Sequence, residues 1–440
     1  MIAVNVKIIG ELKRFVSLVA STPELLDKFR RSSTDFTRKR KLSFQSLVLL
    51  IAKLCKKTLS MELESFFEQS GAAIPCCSVS AFCQQRLKLK PLFFYYWNIV
   101  LWTSYYRYAQ QAVKRWKGYR IVAADGSTVS LVDTPALSSY FGGQSNQKGA
   151  FVLAKTFYYY DVLNELILSA HIKPYRYAEL NLAYELVDKL HEDMLMVYDR
   201  NFCNYKMVAL HQWQEKEIKF IIRAKENLQV VRSFMQSGKL SEVVELQPGA
   251  KAIEGLKKSG YRINKKTLLK VRLVRVELEK SVEVLLTNLW EEEGHGSEEF
   301  KALYGLRWGV ETNISLQKNI LALESFSGLT PLAVVQDFYA TVFMTNLHAV
   351  VLKDAQQSAE QQHAARKYPV KINNNKAVAW LKTFLVALFL SYRPKKILQM
   401  LHDCYLKEVL PVREGRFFER VRKNHSRNKH RTYTNFKPAY

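Results

Sequence analysis

Negative charge is scarce in this chain: 40 Asp and Glu stand against 66 Lys and Arg in 440 residues, giving a formal net charge of +26 and a pI near 9.7. That balance is far from an ordinary cytosolic enzyme's and points to a polyanionic partner, nucleic acid first and an acidic membrane surface second. Long apolar runs are missing too. No stretch reaches the roughly 18 uncharged apolar residues of a membrane span. "AVAWLKTFLVALFL" (377–390) is interrupted by Lys382 and "LVLLIAKLCKK" (47–57) is shorter still, so both read as buried helices. No membrane partner is expected. The opening "MIAVNVKIIGELKRF" lacks the charged start, continuous apolar run and cleavage site of a signal peptide, so a cytoplasmic protein is expected. Paired cysteines are also lacking: Cys55, Cys76, Cys77, Cys83, Cys203 and Cys404 show no CxxC spacing, which argues against a structural zinc site. "CCSVSAFC" (76–83) reads as the start of a helix with half-buried thiols. No internal repeat is present.

What is there begins with helices. Residues 1–115 have apolar positions at three and four spacing, almost no glycine, and Ser43 and Ser78 as N-cap candidates. Cations punctuate this region: "FTRKRKLSF" (36–44) opens a helix with four in succession, and Arg86, Lys88 and Lys90 follow a second candidate helix. Such runs suit DNA phosphates or a solvated face. From about 119 the texture becomes strand-like in "YRIVAADGSTVSL" (119–131), "GAFVLAKTFYYYDV" (149–162) and "ELILSAHIKP" (165–174). A helix at 178–190, a buried parallel strand "DMLMVYDR" (193–200), a helix near 203–215 and a strand "KFIIRAKE" (219–226) follow. Three strands and then alternating strand and helix describe a mixed sheet with helices packed on it.

Residues 227–289 alternate cations with apolar residues, notably in "KKTLLKVRLVRVELEKSVEVLLTNL" (265–289), and read as an all-β insertion. Thr330 and Pro331 make a good N-cap and first-turn pair for one long helix to about 353. The polar stretch 353–375 separates it from a last helical segment. The final 28 residues carry nine Lys and Arg against two Glu, interleaved with aromatics, a composition suited to phosphate and base-stacking contacts or to a solvated end. The organisation is therefore 1–115 helical, 116–226 first part of a core, 227–289 insertion, 290–355 second part of the core, and 356–440 helical with a basic tail.

Between insertion and long helix lies "KALYGLRWGVETNISLQKNI" (301–320), which reads as one amphipathic helix. At about 100° per residue, Tyr304, Arg307, Glu311 and Lys318 fall within an arc of roughly 60°. Leu303, Val310, Ile314 and Leu321 form an adjacent apolar stripe for burial. Arg and Glu four residues apart also make an ordinary helix ion pair of about 0.2–0.5 kcal/mol. Two further acids stand out. Asp125 follows the apolar run "IVAA" and precedes Gly126, where a turn residue is the alternative; Asp199 ends "MLMVYD" before Arg200, where a strand-end ion pair is the alternative. Acids at strand ends could converge on two metal ions, as phosphodiester chemistry requires, and an all-oxygen set suits magnesium.

Taken together, Tyr304, Arg307, Glu311 and Lys318 match in full the Tyr-x2-Arg-x3-Glu-x6-Lys motif of the DDE transposases of bacterial insertion sequences, in particular insertion-sequence family 4. "DGST" around Asp125, "YDRNF" around Asp199 and "LLTNL" (285–289) resemble the family's other landmarks, and the resemblance extends to "FTRKRKLSF" and "SVSAFCQQRLKL" near the N-terminus. It implies an α/β fold: an RNase H-like mixed-sheet core interrupted by a β-rich insertion, with helical N- and C-terminal regions. It implies that Asp125, Asp199 and Glu311 hold two Mg²⁺ ions, for which Mn²⁺ can substitute. The implied activity is cut-and-paste transposition: water nicks the element end, the freed 3′-hydroxyl attacks the opposite strand to give a hairpin, and the reopened ends join target DNA. Tyr304, Arg307 and Lys318 would grip phosphates, and Arg200 either contacts the DNA backbone or pairs with Asp199. Double-stranded DNA at terminal inverted repeats and targets is the implied partner, with a homodimer in the synaptic complex and a bacterial, nucleoid-associated location.

One departure stands out. Where the family has a base-stacking Trp before the "LLT" strand, this chain has Glu283; Trp290, on the other side of that strand, is the candidate substitute, with a plain core residue as the alternative. A nuclease that never joins ends would show the same acids, and a non-catalytic DNA-binding derivative predicts the loss of at least one acid.

Overall fold

The computed structural model describes residues 2–38, 40–71, 77–146, 149–279 and 281–413. Lys39, Cys76 and the basic tail beyond Arg413 lie outside them. The N-terminal region is helical: α1 (Ile2–Ser21), α2 (Pro23–Phe29), α3 (Phe44–Ala52), α4 (Leu59–Gln69), α5 (Val79–Arg86) and α6 (Leu92–Tyr108). Ser43 caps α3, its hydroxyl accepting from the Ser46 amide at 3.1 Å, and Ser78 caps α5 in the same way from Ala81 at 3.2 Å. The cations of 38–41 therefore precede α3 rather than belong to it. No described helix is long and apolar enough to cross a membrane.

The α/β core follows. Its elements are β1 (Arg120–Ser130), α7 (Pro135–Phe141), β2 (Gly143–Asn146), β3 (Gly149–Asp161), β4 (Leu166–Pro174), α8 (Glu179–Leu186), β5 (Met194–Tyr198), α9 (Tyr205–Gln212) and β6 (Lys219–Arg223). Strand order across the sheet is β4-β3-β1-β5-β6, with β3 antiparallel to both neighbours and β1, β5 and β6 parallel. That is the RNase H-like arrangement. The first half of β1, Ile121–Ala124, and all of β5 are continuous apolar runs because helices cover both faces of the parallel part of the sheet. The short α7 and β2 between the first two strand runs had no counterpart in the sequence pattern.

The insertion is rich in strand but not all-β. It contains α10 (Gln229–Ser237), β7 (Ser241–Leu246), α11 (Ala250–Lys258), β8 (Leu269–Glu277) and β9 (Val282–Thr287). Both helices bury one apolar edge, Val231 and Phe234 on α10 and Leu256 on α11, with Val230, Met235, Ala252 and Ile253 half-buried beside it. Its strands extend the core sheet, since β9 pairs antiparallel with β6 and β8 and β7 continue outward to make nine strands.

Two further departures concern helices. The segment 301–320 is not one helix but α12 (Glu299–Gly305), a turn at Leu306 and Arg307, α13 (Trp308–Ser315) and a π-helical turn over Leu316–Ile320. The apolar stripe is buried as expected, yet Leu303, Val310 with Ile314, and Leu321 enter three separate clusters, so a straight helix could not serve all of them. The capped helix α14 (Pro331–Gln362), with Thr330 accepting from Ala333, overruns its expected end by nine residues. Ala355 and Ala359 carry its buried face through the polar stretch, and the intervening Gln and Glu are good helix formers. After it come β10 (Val370–Ile372), α15 (Asn374–Leu390), α16 (Pro394–Leu406) and β11 (Val409–Pro411).

The terminal regions share one core with the sheet. Trp97 of α6 stacks on Phe343 of α14 at 3.9 Å between centroids and 8° between planes. Arg86 of α5 ion-pairs with Asp337 of α14 at 2.9 Å, both side chains buried. Gln336 closes the joint by donating to the Arg86 and Leu89 carbonyls.

Candidate active site

Two parallel strands bring the first two acids side by side. Ala124 of β1 is paired with Tyr198 of β5, and Asp125 and Asp199 are the next residue on each. Adjacent strands run about 4.8 Å apart, so the register alone makes the carboxylates neighbours. Asp125 lies within β1 rather than at its end, because Gly126–Ser130 continue the pairing with β3. Its Oδ1 accepts from the Gly126 amide at 2.8 Å, while Asp199 Oδ1 accepts from the Asn201 amide at 2.8 Å and caps the turn that turns the chain away from the sheet.

The third acid arrives from α13. Gly309 lets this helix lie close to the sheet: a Cβ there would meet Val162 Cγ1 at 3.3 Å. Glu311, one-third exposed, accepts from Arg307 Nη2 at 2.8 Å, and Arg307 Nη1 stands 4.0 Å from Asp125 Oδ2. The helix ion pair is therefore real and reaches a third partner across the site. Arg307 is buried, and among the described residues its Nε has no hydrogen-bond partner, which leaves an orphan donor in the site's wall.

Electrostatics tie the acids together. Burial, the largest cause, pushes the Asp125 carboxyl up to about 6; the Gly126 amide and Arg307 oppose the rise, and Asp199 and Glu311 add to it. Tyr304, buried on α12, has its phenol pushed up to about 12 by burial, with Arg307, Glu283, Arg223 and Asp199 all within electrostatic reach. Lys318, on the π-helical turn, donates to the Thr128 carbonyl of β1 at 2.6 Å, three residues beyond Asp125. Asp125, Asp199, Glu311, Arg307 and Tyr304 thus converge, with Lys318 pinned to the strand beside them. Arg200 is exposed, and among the described residues no ion pair joins it to Asp199.

Among the described residues no three His, Cys, Asp or Glu side chains stand close enough to hold a metal ion. The Arg307 guanidinium is the counter-charge between Asp125 and Glu311. The donor set itself, carboxylate oxygens of which two add to the proton affinity of Asp125, fits a hard divalent cation. The residues fit such an ion once Arg307 yields to it.

Several neighbours were not singled out from sequence. Trp308 is 57% exposed with the Arg307 guanidinium 4.8 Å from its ring centre. Arg223, at the end of β6, pairs with Glu283 at 3.0 Å. Trp290 is not a member: β9 starts at the acids' end of the sheet and Thr287 is already level with Ile221, so Trp290 emerges at the opposite end. A basic residue at the carboxyl end of a parallel strand was the available sign for Arg223.

A model of the family described as "Transposase DDE domain" matches residues 116–347. Among solved structures, the chain is similar to the piggyBac transposase in its synaptic complex with hairpin DNA, determined by cryo-EM, at 12% identity over 95% of this chain and 86% of that chain, with a TM-score of 0.41. No curated protein matches it.

Proposed function

The chain belongs to the transposase DDE domain family, and from that premise we propose that it is the cut-and-paste DNA transposase of a bacterial insertion sequence of family 4. The observation that carries this reading is the convergence of Asp125 and Asp199, neighbours across β1 and β5, with Glu311 of α13. The three carboxylates would hold two Mg²⁺ or Mn²⁺ ions. When bound, the ions supply Lewis acidity, lowering the pKa of the attacking water and balancing charge on the leaving oxygen.

The remaining roles fall to the chain's own groups. Arg307 exchanges its carboxylate partners for the scissile phosphate and brings its orphan Nε into use; its planar fork suits two phosphate oxygens. Tyr304 and Lys318 support that strand, and Arg200 contacts the backbone at the mouth. Water attacks phosphorus and the P–O3′ bond breaks, leaving a 3′-hydroxyl on the element end. That hydroxyl then attacks a phosphodiester of the opposite strand, closing a hairpin, and after reopening attacks target DNA, each time forming one P–O bond as another breaks. A hairpin needs a base drawn from the stack; with Glu283 in place of the aromatic, exposed Trp308 is the ring available beside Arg307.

Residues 1–115 and the basic tail within 356–440 bind DNA, 116–226 and 290–355 form the core, and 227–289 is the insertion. Two copies synapse two terminal inverted repeats in the cytoplasm, on nucleoid DNA. The test is incubation with Mg²⁺ and a labelled duplex bearing the sequences that flank the gene. Nicked and joined products are expected. Nicking without joining would make the chain an RNase H-like nuclease, and binding without nicking an inactive DNA-binding derivative.

A further inference from the structure

We propose that the cleft outside the carboxyl ends of β5 and β6 is a phosphate-binding site in which Arg223 and Lys225 grip the DNA strand beyond the scissile phosphate, and that Glu283 is the residue that positions Arg223. The inference rests on the DNA reading above and extends it to residues outside the transposase motifs.

The cleft exists because two parallel strands end together and their chains diverge. Tyr198 and Ile222 are paired; after them β5 leads into the turn at Arg200–Phe202, and β6 leads through Lys225 toward α10. Crevices of this kind, beyond the carboxyl ends of parallel strands, are where ligands gather in open α/β sheets. The cavity measures about 430 Å³ and is walled by Asp199, Arg200 and Asn201 on one side and by Arg223, Lys225 and Glu226 on the other. Its size falls within the roughly 300–1,000 Å³ of small-ligand sites, and Asp199 is common to it and to the candidate active site.

Its charge is arranged for a phosphate. Among the described residues Arg200 and Lys225 have no carboxylate partner, and Glu226 is exposed at the edge. Arg223 is held from behind: its Nη2 lies 3.0 Å from Glu283 Oε1, with the arginine side chain 35% exposed and the glutamate 13%. Among the described residues this is the ion pair Arg223 makes, and its guanidinium carries five N–H donors with which to meet a ligand. A partly exposed guanidinium fixed by a mostly buried carboxylate is preorganised for bidentate phosphate contact. Arg307 stands by Asp125 and Arg223 lines the cleft that Asp199 shares, so a strand at the acids would have a guanidinium from each region within reach.

The test pairs binding with cleavage. Binding of a fluorescein-labelled duplex of mixed sequence is followed in EDTA across a salt series, and cleavage is followed with Mg²⁺ at saturating concentration of a duplex bearing the gene's flanks. Arg223→Ala and Lys225→Ala are each expected to lower the slope of log affinity against log salt by about 0.9, one phosphate contact, and Arg223→Ala to slow cleavage about tenfold or more. Arg223→Lys keeps the slope but not the rate, because the fork is lost. Glu283→Gln keeps the slope and slows cleavage, the pattern of a positioning residue. Unchanged slope and rate in both alanine variants would overturn the proposal; Lys225→Ala breaks no ion pair, so the outcome does not hang on the folding of Arg223→Ala. If the unsubstituted chain cuts nothing while both slopes fall, the cleft stands and the transposase reading falls. If it cuts and neither variant differs from it, the reverse holds.

Discussion

Asp125 carries the site's conflict between stability and use. Its carboxyl titrates near 6 in the folded chain against an ordinary 3.8, so between those pH values the folded state keeps a proton that the unfolded state has released. Stability therefore falls as pH rises through this window, by up to about 3 kcal/mol. Asp125→Asn is expected to stabilise the metal-free protein by about 1–3 kcal/mol at pH 7.5, with the gain gone near pH 4, as read by urea unfolding at both values. A destabilised variant at pH 7.5 would contradict the account. The same substitution is expected to abolish cleavage, a trade familiar at functional sites. Divalent-metal affinity should also fall as pH drops through about 6, higher than for an ordinary carboxylate, because the ion competes with that proton.

At the scale of elements, the position of Glu311 depends on how closely α13 approaches the sheet. Gly309→Val puts branched carbon where even a single Cβ would meet Val162 Cγ1 at 3.3 Å, lifting the helix; cleavage should fall at least tenfold while DNA binding in EDTA is kept. Ala359 on the C-terminal half of α14 is fully buried within a polar sequence, so Ala359→Asp should cost roughly 2–4 kcal/mol in chemical unfolding. A cost under 0.5 kcal/mol would place that stretch outside the core. These two cases mark what the sequence could disclose. The runs that became β1, β3, β4, β5 and β6 are legible because their apolar character is local, and Ser43, Ser78 and Thr330 cap helices through contacts three residues away. The break at Arg307 is not legible: the turn and the following π-helical turn preserve the apolar spacing while redirecting it to different cores. Helices α10 and α11 are hidden because each buries only one or two residues. Asp125, Asp199 and Glu311 were singled out from local motif context, whereas the Arg223–Glu283 pair joins residues 60 apart through β6–β9 register, which no local pattern encodes.

For the whole molecule, the net charge of +26 is a statement about DNA binding more than about folding. Six or more phosphate contacts would weaken binding on the order of a thousandfold between 50 and 200 mM salt. Removing 414–440 takes away eight Lys and Arg; it should flatten that dependence while leaving the pH profile of cleavage unchanged, since no group of the candidate active site is lost. A salt dependence equal to that of the full chain would show that the tail does not touch DNA. The central claim is that Asp125, Asp199 and Glu311 form one catalytic centre, and cleavage with strand transfer on a labelled duplex bearing the flanking inverted repeat, in Mg²⁺, tests it most directly when wild type is compared with Glu311→Gln. The account predicts nicked and joined products from wild type and neither from the variant, with DNA binding intact in both; cleavage undiminished by the substitution would contradict it.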